Sequence, residues 1–294
     1  MAIGEEVVEK SATRTAGGHP PSSLVSVGVL SFGAPQTISR ALKAHRESGL
    51  IDCAGEFFVH FNAITSEDRS LAEEAGVRYS GTHDNRGIYG GFRAIAERAQ
   101  NPYVLILEND IVPLPGAAVR ECLDLCVSDM IAHGIKCFSL RSRREPGEGR
   151  PYAKYIKTFG LIDPVSPSLT VRKPAPFSQM RMLLEHGSID KFRASSLFCE
   201  REPEKVQPHA VRKLPSGNYL TYSNYRSWSN QAVLVERQYF FDVICRRVDK
   251  HPDPRLVNGH QDIERALNRR WWRRRRDPMG HAGEGVFTHS RIDR

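Results

Sequence analysis

From Leu24 onward, short apolar runs alternate with amphipathic stretches. Leu24 to Leu30 reads as a strand, and Pro35 to Gly49 as a helix with Ile38, Leu42 and His45 on one face. Glu56 to Phe61 predicts a second strand, and Ser66 to Gly76 a second helix with Ser66 as N-cap and Gly76 at its C-terminal end. A short strand, Val77 to Ser80, a helix, Arg86 to Gln100, and a strand, Tyr103 to Leu107, complete this pattern. Strand and helix alternating at this spacing mean βαβ units and a right-handed parallel sheet. The second part is less regular. Helices are expected over Leu114 to His133, Tyr239 to Val248 and His260 to Trp272, and strands over Ile135 to Leu140 and Gln231 to Val235. The span 141–225, rich in Pro, Arg, Lys and Tyr, reads as loops with short elements, as a substrate-facing surface does.

Residues 1–23 hold Gly-Gly, Pro-Pro, Ser and Thr with little apolar content and are taken as a flexible tail. Residues 24–294 form the expected domain, divided into a 24–113 half and a 114–294 half. No stretch approaches the roughly 18–20 apolar residues of a membrane span. The N-terminus carries acids where a signal peptide has basic and then apolar residues, so a soluble cytoplasmic protein is expected. The six cysteines include no C-x-x-C pair and are read as reduced. The net charge of +8 is local, because six arginines between Arg269 and Arg276 crowd a stretch without an acid. Such a patch suits peripheral contact with an anionic surface, an anionic acceptor or a solvated helix end.

The last regular strand carries the chemistry. Tyr103-Val-Leu-Ile-Leu runs directly into Glu108-Asn109-Asp110. A continuous apolar run suits a strand covered on both faces, and functional groups in open α/β sheets gather at the carboxyl ends of such strands. Strand alternation would point Glu108 and Asp110 the same way, as hard oxygen ligands for Mg²⁺ or Mn²⁺ under a diphosphate. Two solvated acids capping a strand are the plainer alternative.

Four separated pieces together resemble the A-type (GT-A) glycosyltransferase fold, and within it the family 2-like inverting enzymes. They are Val27 to Pro35, Asp84-Asn85-Arg86-Gly87 with Gly90 and Gly91, Gly259-His-Gln-Asp262-Ile-Glu264, and Val286-Phe-Thr-His289. The similarity spans roughly residues 24–292 and implies an α/β fold with one Rossmann-like, mostly parallel sheet flanked by helices. It implies a glycosyltransferase, for hexose or pentose, that uses a UDP-, GDP- or dTDP-sugar and a glycan, lipid-linked or protein acceptor. In that family the acid pair is the D-x-D motif, so Glu108 departs at the first position and Asp110 is the firmer ligand. A C-terminal histidine often completes the metal site; His289 matches it, with His281 as fallback. Asp262 then matches the general base, with Glu264 as the second carboxylate, although both also suit a helix cap and first turn. The resemblance lays the nucleotide over Ser31, Phe32, Asn62 and Asn109. Asp84, Asn85, Arg86 and Gly87 precede a helix N-terminus that can meet an anionic ligand, and Arg93 lies one turn further in. Trp228 matches the acceptor-side segment, as a stacking face or as core.

Two rivals remain at this level. A nucleotidyltransferase usually has a Gly-rich, basic loop after its first strand, whereas Ser31-Phe-Gly-Ala-Pro35 has one glycine and no base. A nucleic-acid-binding protein could use Trp271, Trp272 and the arginines, but leaves the acid-ended strand without a role; no stable nucleic-acid partner is expected.

Overall fold

The computed structural model describes residues 20–147, 150–159 and 188–290, with positions 177, 180, 183 and 184. Residues 1–19 of the expected tail, and much of the loop-rich span, lie outside the described residues. Residues 20–23, placed with the tail in the sequence, do not belong there: Pro21–Leu24 is a 3-10 turn with Pro21 and Ser22 buried, and the Ser22 amide donates to Asp124 at 2.7 Å.

The βαβ pattern is realised. β1 (Val25–Ser31), β2 (Glu56–Phe61), β3 (Arg78–Gly81) and β4 (Tyr103–Glu108) alternate with α1 (Pro35–Glu47), α2 (Leu50–Cys53), α3 (Ser66–Glu74) and α4 (Gly87–Arg98). Every residue of β1 and β2 is buried, as their near-continuous apolar runs require of strands covered on both faces. The N-cap of α3 is Thr65, not Ser66. Thr65 and Asp68 form a reciprocal capping box, the more favourable arrangement because it satisfies two orphan amides.

Beyond β4 the chain forms β5 (Ile111–Pro113), α5 (Val119–His133), β6 (Cys137–Ser139), β7 (Arg212–Lys213), β8 (Tyr219–Tyr222), β9 (Val233–Glu236), β10 (Pro278–His281) and β11 (Phe287–His289). Nine strands make one sheet in the order β3-β2-β1-β4-β9-β6-β10-β8-β7, which crosses the expected boundary at residue 113 without a break. β3, β2, β1 and β4 pair in parallel, as do β6 and β10. β9 lies antiparallel between β4 and β6, and β8 antiparallel between β10 and β7, so only these two oppose the common direction.

Side-chain alternation divides the core into two layers. Val25, Val27, Val29, Leu105 and Leu107 pack with Ile38, Leu42, Leu50, Leu123 and Val127 from α1, α2 and α5. On the other face Leu30, Val104 and Ile106 pack with Phe92, Ile95, Phe240, Ile263 and Trp272. Gly28 lies under α4, where a Cβ would stand 2.2 Å from Ile95 Cγ2. The late helix expected over His260 to Trp272 is instead two short ones, Ile263–Leu267 and Arg270–Arg275. All six cysteines are free, and among the described residues no helix is long and apolar enough to cross a membrane.

Candidate active site

One edge of the sheet gathers the chemistry. The carboxyl ends of β1, β2, β4 and β6 open there, and β9 begins there. A cleft of about 1150 Å³ lies over this edge. Its wall includes Phe32, Asn62, Asn85, Gly87, Glu108, Asn109, Trp228, Asp262, Glu264 and His289, so most residues picked from the sequence converge.

Asp110 and His289 meet through strand pairing. The chain leaves the main sheet after Glu108 and turns at Asn109 and Asp110 into β5. β11 pairs antiparallel with β5, setting His289 opposite Ile111. The Ser290 amide then donates to the Asp110 carbonyl at 2.7 Å, and His289 Nε2 stands 3.1 Å from Asp110 Oδ2. Asp110 is 1% exposed. The expected strand alternation of Glu108 and Asp110 does not hold, because Asp110 is a turn residue. Glu108 stays on the cleft wall, and among the described residues no group of three or more His, Cys, Asp or Glu is set to hold a metal. The fallback His281 is buried, its Nδ1 2.6 Å from the Ala282 carbonyl. Burial, with Arg226 nearby, holds its imidazole well below the usual histidine range.

Of the residues expected to face a nucleotide, Phe32, Asn62, Asn85, Gly87 and Asn109 line the cleft. Phe32 is 54% exposed beside the cleft. Ser31 lies behind it, buried, 3.4 Å from the Asn109 amide nitrogen. Asn62 donates to the Gly87 carbonyl at 3.0 Å, while its buried Oδ1 has no hydrogen-bond partner among the described residues. An orphaned acceptor on a cleft wall is a place for a ligand donor. Gly87 has φ +68°, and a Cβ there would stand 2.4 Å from His260 Cβ. This close approach brings the start of α4 against the Gly259-His-Gln-Asp262 segment. Three expectations fail. Asp84 is exposed beside His83, Arg86 is an exposed residue outside the cleft, and Arg93 pairs with Glu97 and Asp249 at 2.9 and 3.0 Å.

Asp262 is both a cap and a cleft residue: its Oδ1 accepts from the Glu264 amide at 2.9 Å. Glu264 accepts from the Asn230 amide at 2.9 Å, tying the short helix to the segment before β9. Trp228 is 2% exposed. Its ring meets Trp272 edge-on at 6.0 Å, and its backbone exchanges two hydrogen bonds with Asn268. Stacking on a sugar needs an exposed face, so Trp228 is core that shapes the cleft. Tyr219, Tyr222 and Tyr225, which flank the segment before Trp228, are not part of the cleft wall.

Arg141, Lys191 and Arg226 were missed by the sequence reading, yet all three line the cleft. Arg141 follows β6 at the active edge, a position that the strand pattern alone could have flagged. The arginine patch lies elsewhere. Arg275 and Trp271 line a separate pocket of about 230 Å³ with Arg246, Arg247 and Lys250. Arg247 and Arg275 sit over the Trp271 ring at 4.9 and 5.2 Å.

No protein-family model and no curated protein matches the chain. Among solved structures it is similar to S. aureus TarS, at 11% identity and TM-score 0.47 over 90% of this chain and 60% of that one. It is also similar to the mannosyltransferase PcManGT from Pyrobaculum calidifontis, solved with GDP-Man and Mn²⁺, at 18% identity and TM-score 0.35. That match covers 40% of this chain and 35% of that one. Glucosyl-3-phosphoglycerate synthase from Mycobacterium tuberculosis is similar at 15% identity and TM-score 0.33, over 40% of this chain and 46% of that one. The chain thus spans about a third to three fifths of the lengths of these structures. At these scores the neighbours assign no chemistry, and function has to be read from the cleft.

Proposed function

We propose that this chain is an A-type glycosyltransferase that moves a sugar from a nucleoside-diphosphate donor to an acceptor hydroxyl. The observation that carries the reading is the 3.1 Å contact of Asp110 with His289 at a cleft that Asp262 also lines. The donor set fits a divalent cation. A carboxylate oxygen and an imidazole nitrogen side by side are donor types that such a cation accepts. Asp110 and His289 would hold Mg²⁺ or Mn²⁺, which would stabilise the charge that gathers on a leaving diphosphate.

The protein's own groups supply the rest. Phe32 and Asn62 line the cleft just beyond β1 and β2, where an aromatic ring and an amide suit a nucleoside. Asp262, on the cleft wall at the N-cap of the helix Ile263–Leu267, takes the acceptor's proton as the hydroxyl attacks. A single displacement of this kind inverts the anomeric configuration. Gly87, held against His260 and bonded through its amide to Asn85, ties the start of α4 to the Asp262 segment.

A mass-spectrometric screen of UDP-, GDP- and dTDP-sugars for Mn²⁺-dependent hydrolysis tests the reading directly. The expected result is turnover of one donor, removed by chelator and by Asp110→Asn. Hydrolysis that is equal in excess chelator, or absent across the panel together with absent nucleoside-diphosphate binding, sinks it.

A further inference from the structure

Two arginines from the loop-rich half are treated very differently. Arg143 is buried and fully used: Nε donates to the Leu197 carbonyl at 2.5 Å and Nη2 to the Glu200 carbonyl at 2.8 Å. Its Nη1 reaches Tyr219 and Glu284, each at 3.1 Å. This fold can therefore satisfy an inward guanidinium when it is only structural.

Arg226 is not satisfied in this way. Among the described residues its side chain makes one hydrogen bond, from Nη1 to the Gly280 carbonyl at 3.0 Å, although a guanidinium has five N–H donors. Among the described residues no carboxylate forms an ion pair with it, although Glu108, Asp262 and Glu264 share the same cleft. The neighbouring charge is another cation, Arg141, which lines the cleft too. Burial pushes the Arg226 guanidinium down to about 10, so it is still charged at neutral pH, and Arg141 acts in the same direction. Half-buried on the cleft wall and next to a like charge, Arg226 keeps N–H donors to offer an anionic ligand. Arginine is also the side chain best shaped for a planar, two-point grip on a phosphate or carboxylate.

Position separates this group from the donor end. Gly280 lies on β10, and β9 and β6 stand between β10 and β4. Three strand spacings of about 4.8 Å place it ~14 Å along the sheet from β4, on the side away from β1 and β2.

We infer that Arg226 is the receptor for an oxyanion, a phosphate or carboxylate, carried by the acceptor. This deepens the transferase reading and rests on the cleft being its substrate site.

The test uses the full chain and inorganic phosphate as probe, followed by calorimetry with and without a saturating nucleoside diphosphate and Mn²⁺. Wild type should bind phosphate in both conditions, with affinities within about twofold. Losing one charge-assisted hydrogen bond of ~1.5–3 kcal/mol predicts ~10- to 100-fold weaker phosphate binding for Arg226→Gln. Its nucleoside-diphosphate affinity should not change. Arg226→Lys, which keeps the charge without the fork, should lose less. Should Arg226→Gln fail to fold, Arg226→Lys and the wild-type competition still decide. The inference is overturned by phosphate that does not bind wild type or binds Arg226→Gln equally well. It is also overturned if nucleoside diphosphate displaces phosphate, because Arg226 then serves the donor. Absence of all nucleoside-diphosphate binding would remove the donor reading alone, while the phosphate arm would still report on Arg226.

Discussion

The β3-β2-β1-β4 end of the sheet and the β9-β6-β10-β8 end are built on different rules. At the first end each strand lies beside a near neighbour in sequence, helices cover the crossovers, and apolar runs are buried on both faces. At the second end the strands are three or four residues long, two of them run against the rest, and their spatial order bears no relation to chain order. The cleft draws on both. Phe32 and Asn62 come from the regular end, whereas Arg141, Arg226, Asp262 and His289 come from the irregular one. A regular frame can present a ligand-binding wall by itself, but the groups proposed for chemistry and acceptor binding have to be brought to it from far along the chain.

The largest expected effect strikes where the two ends join. Asp110→Asn should lower transfer by on the order of 10³-fold, the several kcal/mol that a metal ion contributes to the transition state. Glu108→Gln, outside the Asp110–His289 contact, should cost much less. Steady-state rates across a Mn²⁺ titration check this, and full activity of Asp110→Asn would break the join.

Asp262→Asn comes next. Asparagine keeps most of the capping ability at this helix start, so the fold and donor binding should survive while turnover falls by ~10²-fold or more. Glu264→Gln is the control, since Glu264 already holds the Asn230 amide. Near-normal turnover of a folded Asp262→Asn protein, or a product that retains the donor configuration, would remove the base assignment.

A third prediction concerns the layer shared by both ends. His45 of α1 is buried between Phe57 of β2 and Phe287 of β11, and neither ring nitrogen has a hydrogen-bond partner among the described residues. Burial lowers its pKa from 6.5 to about 3. Below pH 6.5 the unfolded chain takes up a proton that the folded state refuses, so stability is lost as pH falls from 6.5 towards 3. By pH 5 the loss reaches about 2 kcal/mol for this group. Urea unfolding of wild type and His45→Leu between pH 5 and 8 isolates it, because any uniform cost of the substitution cancels. Parallel pH profiles would show that His45 is not buried in this way.

The smallest effect belongs to the irregular end. Arg276 follows the helix Arg270–Arg275 in the left-handed region at φ 56°, where glycine carries no Cβ penalty. Arg276→Gly should raise stability by ~0.5–1 kcal/mol and leave catalysis unchanged. A lower thermal midpoint would place a needed contact in that side chain.

Legibility followed the same division. The runs Glu56 to Phe61 and Tyr103 to Leu107 announced their strands because period and burial agree in a parallel sheet. The position of Asp110 was only partly legible. The apolar run pointed to it, but its orientation comes from a turn and from β11, not from strand alternation. Trp228 could not be settled from sequence, since a buried ring and a stacking platform have the same identity. Arg226 was invisible because its meaning lies in what does not surround it, which spacing along a chain does not encode.

The pairing of β11 with β5 also sets an order in time. βαβ contacts close over short loops, whereas β5 and β11 are joined only after the intervening chain has been laid down and folded. A partly folded molecule with its parallel core in place and β11 undocked already owns Phe32 and Asn62, yet has no His289 beside Asp110. The activity proposed for the cleft therefore depends on β11 being docked. Amide exchange at Thr288 and His289 should be faster than at Val27 and Ile106, and mild denaturant should silence the enzyme before the core opens.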